Sequence, residues 1–156
     1  MIRIGTVFLL LLLAGCSNAG PAALDHPSPD QKLFQARDGL SIGLAEDLFE
    51  HPPDRLEILM ENKSPKDVGY GEYVYIEVKK EGEWFALTHS DAVFLKDPSM
   101  KDFGLELESS EQTVQHFSIA ALEITLPPGE YRLVKTFLSL EVPVQETSLA
   151  VSFRVE

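Results

Sequence analysis

From Leu40 to the C-terminus the apolar residues recur at every second position, and this period of two constrains the fold more than any other feature. Leu40, Ile42 and Leu44 alternate with Ser41 and Gly43; Leu56, Ile58 and Met60 alternate with Glu57 and Glu61; Leu149, Val151, Phe153 and Val155 close the chain in the same rhythm. An amphipathic helix would place its apolar residues every three or four positions, so these stretches are half-buried strands. His51-Pro52-Pro53-Asp54 cannot continue a ladder because proline lacks the donor, and Asn62-Lys63-Ser64-Pro65-Lys66-Asp67 is a second turn. Over residues 72–80 the pattern sends Val74, Ile76 and Val78 inward and Tyr73, Tyr75, Glu77 and Lys79 outward. Glu81-Gly82 turns this strand, expected to be central, into a hairpin with residues 83–87, where Trp84 is expected to fill the core. Spacing of strands and turns predicts an all-β protein of roughly seven to nine short strands in a two-sheet Greek-key sandwich.

The N-terminus has a different character. Arg3 precedes an apolar run from Val7 to Ala14, followed by small residues, which is how a secretory signal is built. A bilayer span needs about 20 apolar residues in a helix, so this run is too short to hold the protein in a membrane. Leu13-Ala14-Gly15-Cys16 resembles the lipobox of bacterial lipoproteins. That resemblance implies a diacylglyceryl group on the Cys16 thiol, cleavage before Cys16, and a protein anchored outside the cytoplasm by its acyl chains. The expected organisation is a signal peptide over 1–15, a lipidated N-terminus and flexible tether over 16–38, and a sandwich domain over 39–156. Proline, serine and aspartate in Ser17-Asn18-Ala19-Gly20-Pro21 and His26-Pro27-Ser28-Pro29-Asp30 are the basis for the tether.

Cys16 is the only cysteine, so the sandwich must hold by packing without a disulfide. The formal charge is −12, and loss of Arg3 with the leader takes it to about −13, which disfavours nucleic acid as a partner.

Leu126-Pro127-Pro128-Gly129-Glu130-Tyr131 sets turn residues before a strand opened by tyrosine. This looks like the tyrosine corner of Greek-key sandwiches, in which the Tyr131 hydroxyl would bond back to upstream backbone. Together with Gly69-Tyr70-Gly71-Glu72, Glu81-Gly82-Glu83-Trp84-Phe85 and the continuation Arg132-Leu133-Val134-Lys135, it resembles a bacterial immunoglobulin-like domain family. The resemblance covers about Leu40 to Glu156. It implies a fold and an extracytoplasmic location, often with a lipid anchor, and no catalytic residues. Lys135 falls in the inward register of Tyr131 and Leu133, which predicts that twist or a bulge redirects it.

The candidates for chemistry are sparse. His26, His51, His89 and His116 are scattered without metal-ligand spacing, and no Gly-x-Ser-x-Gly nucleophile turn or phosphate-cradling glycine loop is present. No catalytic residue, metal-ligand set or cofactor is therefore expected. Asp91, Asp97 and Asp102 border one loop and supply the alternative reading, a calcium-dependent envelope factor or enzyme using the Asp91–Asp102 loop. The favoured reading is a lipid-anchored, non-catalytic module that binds an envelope or extracellular protein or glycan. Tyr70, Tyr73 and Tyr75 are its candidate binding residues, since tyrosine gives large contact area at low entropy cost.

Overall fold

The structure, a computed structural model, describes residues 21–87, 101 and 103–156. The leader, Cys16, His89 and the three aspartates of the Asp91–Asp102 loop lie outside the described residues. Among the described residues eleven strands form two sheets. The smaller sheet has the order β1 (Ala36–Arg37), β2 (Leu40–Leu44), β4 (Arg55–Asn62), β9 (Gln112–Ser118), all antiparallel. The larger is organised around β10 (Gly129–Ser139), which pairs from Gly129 to Leu138 with β11 (Glu146–Val155). Beyond β11 lies β3 (Leu48–Phe49), joined in parallel.

The opposite edge of β10 is shared by two strands. β6 (Tyr75–Lys80) pairs along Tyr131–Val134, and β5 (Val68–Tyr70) along Phe137–Ser139. β7 (Glu83–Ala86) extends the sheet beyond β6, and β8 (Leu105–Leu107) extends it beyond β5. The count exceeds the expected range because β1 and β3 are only two residues long and escape any periodicity test. The segment at 72–80 is interior as expected, with β6 between β10 and β7, but the longest ladder is that of β10, ten of whose residues find partners on β11 while its other edge is also occupied.

The alternation places Leu40, Ile42, Leu56, Ile58, Met60 and Phe117 of one sheet against Ile76, Leu133, Phe137, Leu149, Val151 and Phe153 of the other, all buried. Each such side chain contributes about 1.5–3 kcal/mol on leaving water, which lets packing hold the fold without a cross-link. Asn62, fully buried at the end of β4, is satisfied throughout: its amide donates to Lys66 and Leu107 carbonyls at 2.8 and 3.0 Å, and its oxygen accepts from the Ser64 N–H at 2.9 Å. It fixes the proline-containing turn to β8.

The flexible tether expected over 16–38 requires correction for much of its length. Leu24 N–H donates to the Ala86 carbonyl at 2.9 Å and Ser28 N–H to that of Trp84 at 2.8 Å, so this segment runs along the free edge of β7. Gln31 donates to the Trp84 carbonyl and accepts from its N–H, and the Phe34 carbonyl accepts from Ala150 N–H at 2.9 Å. An unpaired strand edge offers a row of backbone groups that almost any sequence can satisfy, which is why composition alone read this stretch as linker.

Two side chains also depart from expectation. Trp84 lies on the outer face of the larger sheet, partly buried, with the Arg132 guanidinium 4.8 Å from its ring centroid. Lys135 is not redirected by twist or a bulge: it points inward with 1% exposure.

Candidate functional site

The site begins where the chain leaves the edge of β10. Between β5 and β6 residues 71–74 drop out of the ladder, which releases backbone carbonyls in a buried place. The Lys135 ammonium answers them from inside. It donates to the carbonyls of Gly71 and Tyr73, the latter at 3.3 Å, and to the side-chain oxygen of Gln115 at 2.7 Å. The lysine therefore holds the jog that presents Tyr73 and Tyr75.

Tyr73 and Tyr75 meet edge to face, with ring centroids 5.2 Å apart and planes at 89°. Tyr75 is 52% exposed, whereas Tyr73 is half-buried and also reaches Phe117 of the opposite sheet, 6.4 Å away. A third ring completes the wall. Phe103 lies over Gly69, where an added Cβ would come within 2.9 Å of the ring, so only glycine lets it seat there. The rings, with Val134, Thr136 and Glu146, line an open depression of about 370 Å³ on the outer face of the larger sheet. Aromatic walls, an apolar floor and a carboxylate at the rim form a surface suited to adhesion.

Tyr70 does not join this patch and is a correction. It belongs to β5 rather than to a loop, and its parity turns it inward, with its ring 6.3 Å from Phe137 and 5.1 Å from the Lys135 ammonium. Burial, followed by the nearby carboxylates of Glu111 and Glu72, pushes its hydroxyl pKa up. Phe103 is the ring that sequence reading missed. Its contact depends on a glycine thirty-four positions earlier, which no local pattern reveals.

Tyr131 is structural. Its hydroxyl donates to the Pro127 carbonyl at 2.6 Å, its ring stacks on Phe153 at 5.4 Å, and burial pushes its pKa up to about 12. Among the described residues no three His, Cys, Asp or Glu side chains converge on a point that could hold a metal ion.

A second hollow, of about 890 Å³, lies on the outer face of the smaller sheet around Gly43, Leu59 and Val114. It is larger but carries no aromatic ring, so the chemistry of recognition favours the tyrosine depression.

The chain belongs to the bacterial Ig-like domain family, whose model matches residues 36–154. No curated protein matches it. Solved structures to which the chain is similar include a C-terminal domain of wzt, at 16% identity and TM-score 0.39 over 83% of this chain and 80% of that one. Two β-glucosidases are also similar. That of Erythrobacter marinus is 17% identical, TM-score 0.30, over 71% of this chain and 15% of the enzyme. That of Listeria innocua, in complex with gluconolactone, is 13% identical, TM-score 0.30, over 75% of this chain and 16% of the enzyme.

Proposed function

We propose that this Ig-like domain is a lipid-anchored, extracytoplasmic, non-catalytic binding module of the bacterial envelope. Its contact surface is the depression formed by Tyr73, Tyr75 and Phe103. The observation that carries this reading is the exposed pair Tyr75 and Phe103, each 52% accessible, beside a half-buried Tyr73 in one depression. Large apolar rings left in water on a sheet face mark a contact surface. Leu13-Ala14-Gly15-Cys16 supports the anchor, with acyl chains on Cys16 as the membrane attachment and an envelope protein or glycan as the partner.

One experiment tests both halves. Cys16→Ala should abolish lipid labelling and release the protein from membranes. Tyr75→Ser with Phe103→Ser should leave it membrane-bound and folded but remove its crosslinked partners in a membrane pull-down. Tyr73 is spared because its ring also packs on Phe117. Retention of the Cys16→Ala protein after a carbonate wash sinks the anchor, and an unchanged partner list sinks the depression.

A further inference from the structure

The smaller sheet ends in a strand built unlike every other edge of the molecule. β9 bonds to β4 on one side, and its other side has no backbone partner among the described residues. The remaining edges are short or taken. β1 and β3 have two residues each, β8 has three, and the four-residue β7 is bordered by Leu24 and Ser28. Gln112-Thr113-Val114-Gln115-His116-Phe117-Ser118 also holds no Asp, Glu, Lys, Arg or Pro in a chain with 38 charged residues. Soluble proteins block such edges with charge, proline or a bulge, and here none is used.

We propose that β9 pairs antiparallel with β9 of a second copy, joining the two four-stranded sheets across a two-fold axis at Gln115. Burial alternates along β9, with the odd-numbered residues inward and the even-numbered ones outward. Only a register that keeps this parity preserves both faces, and the two-fold at Gln115 does so while using all seven residues. It sets Val114 opposite His116 of the second copy and Gln112 opposite Ser118.

Charge favours self-pairing over a foreign strand. In the β4–β9 register Glu61 lies beside Gln112, Leu59 beside Val114, Glu57 beside His116 and Arg55 beside Ser118. Rows across the joint then run from Glu61 and Gln112 into Ser118 and Arg55 of the second copy, so an acidic and a basic residue flank the joint on opposite sides. The adjacent row runs from Leu59 and Val114 into His116 and Glu57. No carboxylate faces a carboxylate in either row, which two molecules of charge −12 require if they are to meet. Leu59 and Val114, 43% and 47% exposed, flank the joint, and the hollow they line continues into the second copy.

The test uses the full chain carrying Cys16→Ser, which removes the native thiol. Sedimentation across a broad concentration range should show a monomer–dimer equilibrium. Val114→Lys or Gln112→Lys, both at exposed positions, should give monomers with the parental melting midpoint. Adding Val114→Cys and His116→Cys to the Cys16→Ser chain should yield a covalent dimer on mild oxidation, whereas Val142→Cys, 93% exposed and far along the chain, should not. A chain that remains monomeric at every concentration overturns the self-pairing and leaves the edge to another extended partner. A dimer that survives both charge substitutions, or a cysteine pair that fails to crosslink, places the joint elsewhere.

Discussion

One face of the larger sheet is treated in two ways. At the N-terminal end of β10 the outer face is covered by the chain itself: Arg132 pairs with Glu77 at 2.5 Å, donates to the carbonyls of Asp30 and Gln31 at 2.6 and 3.1 Å, and stacks on Trp84. Toward the C-terminal end the same face carries Tyr75, Phe103 and Leu138 with no such cover among the described residues. Both halves sit on one strand and obey one parity, so secondary structure does not distinguish them. What differs is the occupant. The first half has charged side chains whose donors are satisfied by a returning segment, and the second has ring surface left half in water.

The largest expected effect breaks the covered half. Glu77→Ala leaves the Arg132 guanidinium, 3% exposed, without its carboxylate and should cost about 3–5 kcal/mol in denaturant unfolding. It should also open the segment around Asp30 and Gln31 to limited proteolysis while the tyrosine depression keeps its partners. Parental stability would show that the ion pair does not hold the cover. Lys135→Met acts on the open half from beneath. It strands the carbonyls of Gly71 and Tyr73, should cost about 2–3 kcal/mol, and should weaken partner capture although the substituted residue touches no surface.

Tyr131→Phe is the smallest of the three and sharpens the comparison as a control, because the residue lies in the core and alters neither half. Loss of its bond to Pro127 should cost about 1 kcal/mol. The unfolded phenol ionises near its ordinary value of 10 while the folded one holds its proton to about 12. The folded pKa is raised, so this contribution is whole below pH 10 and is lost as pH rises through 12. Pairwise melts of parent and variant should therefore converge across that window. Tyr70, also raised, leaves a residual alkaline slope in both proteins.

These differences also mark what could be read in the residues. Leu56, Ile58 and Met60, or Leu149, Val151 and Phe153, announce their burial through alternation, because a pleated strand with one wet face leaves that trace. The tyrosine corner carries its own turn residues within five positions. Of the aromatic patch, only Tyr75 follows from strand parity; Tyr73 and the inward Tyr70 depend on the jog at 71–74, and Phe103 on the space above Gly69, and neither has a local signature. Lys135 was misread for the same reason. A buried ammonium looks like an error of pattern until the carbonyls released by the jog appear beside it. The cover over Arg132 depends on pairing across a hundred residues, to which composition is blind.

The docked N-terminal segment sets a height as well as a cover. Had the chain first engaged the sandwich at Gly39, the intervening residues from Cys16 could have spanned about 75 Å. Among the described residues the chain is already engaged by Ala23, which bridges Leu87. With Cys16 as the attachment point, seven steps remain, a leash of at most about 25 Å. A module on so short a leash cannot sweep a wide volume. On the proposed Cys16 anchor it would work as a fixture close to the bilayer, reached by partners that come down to the membrane.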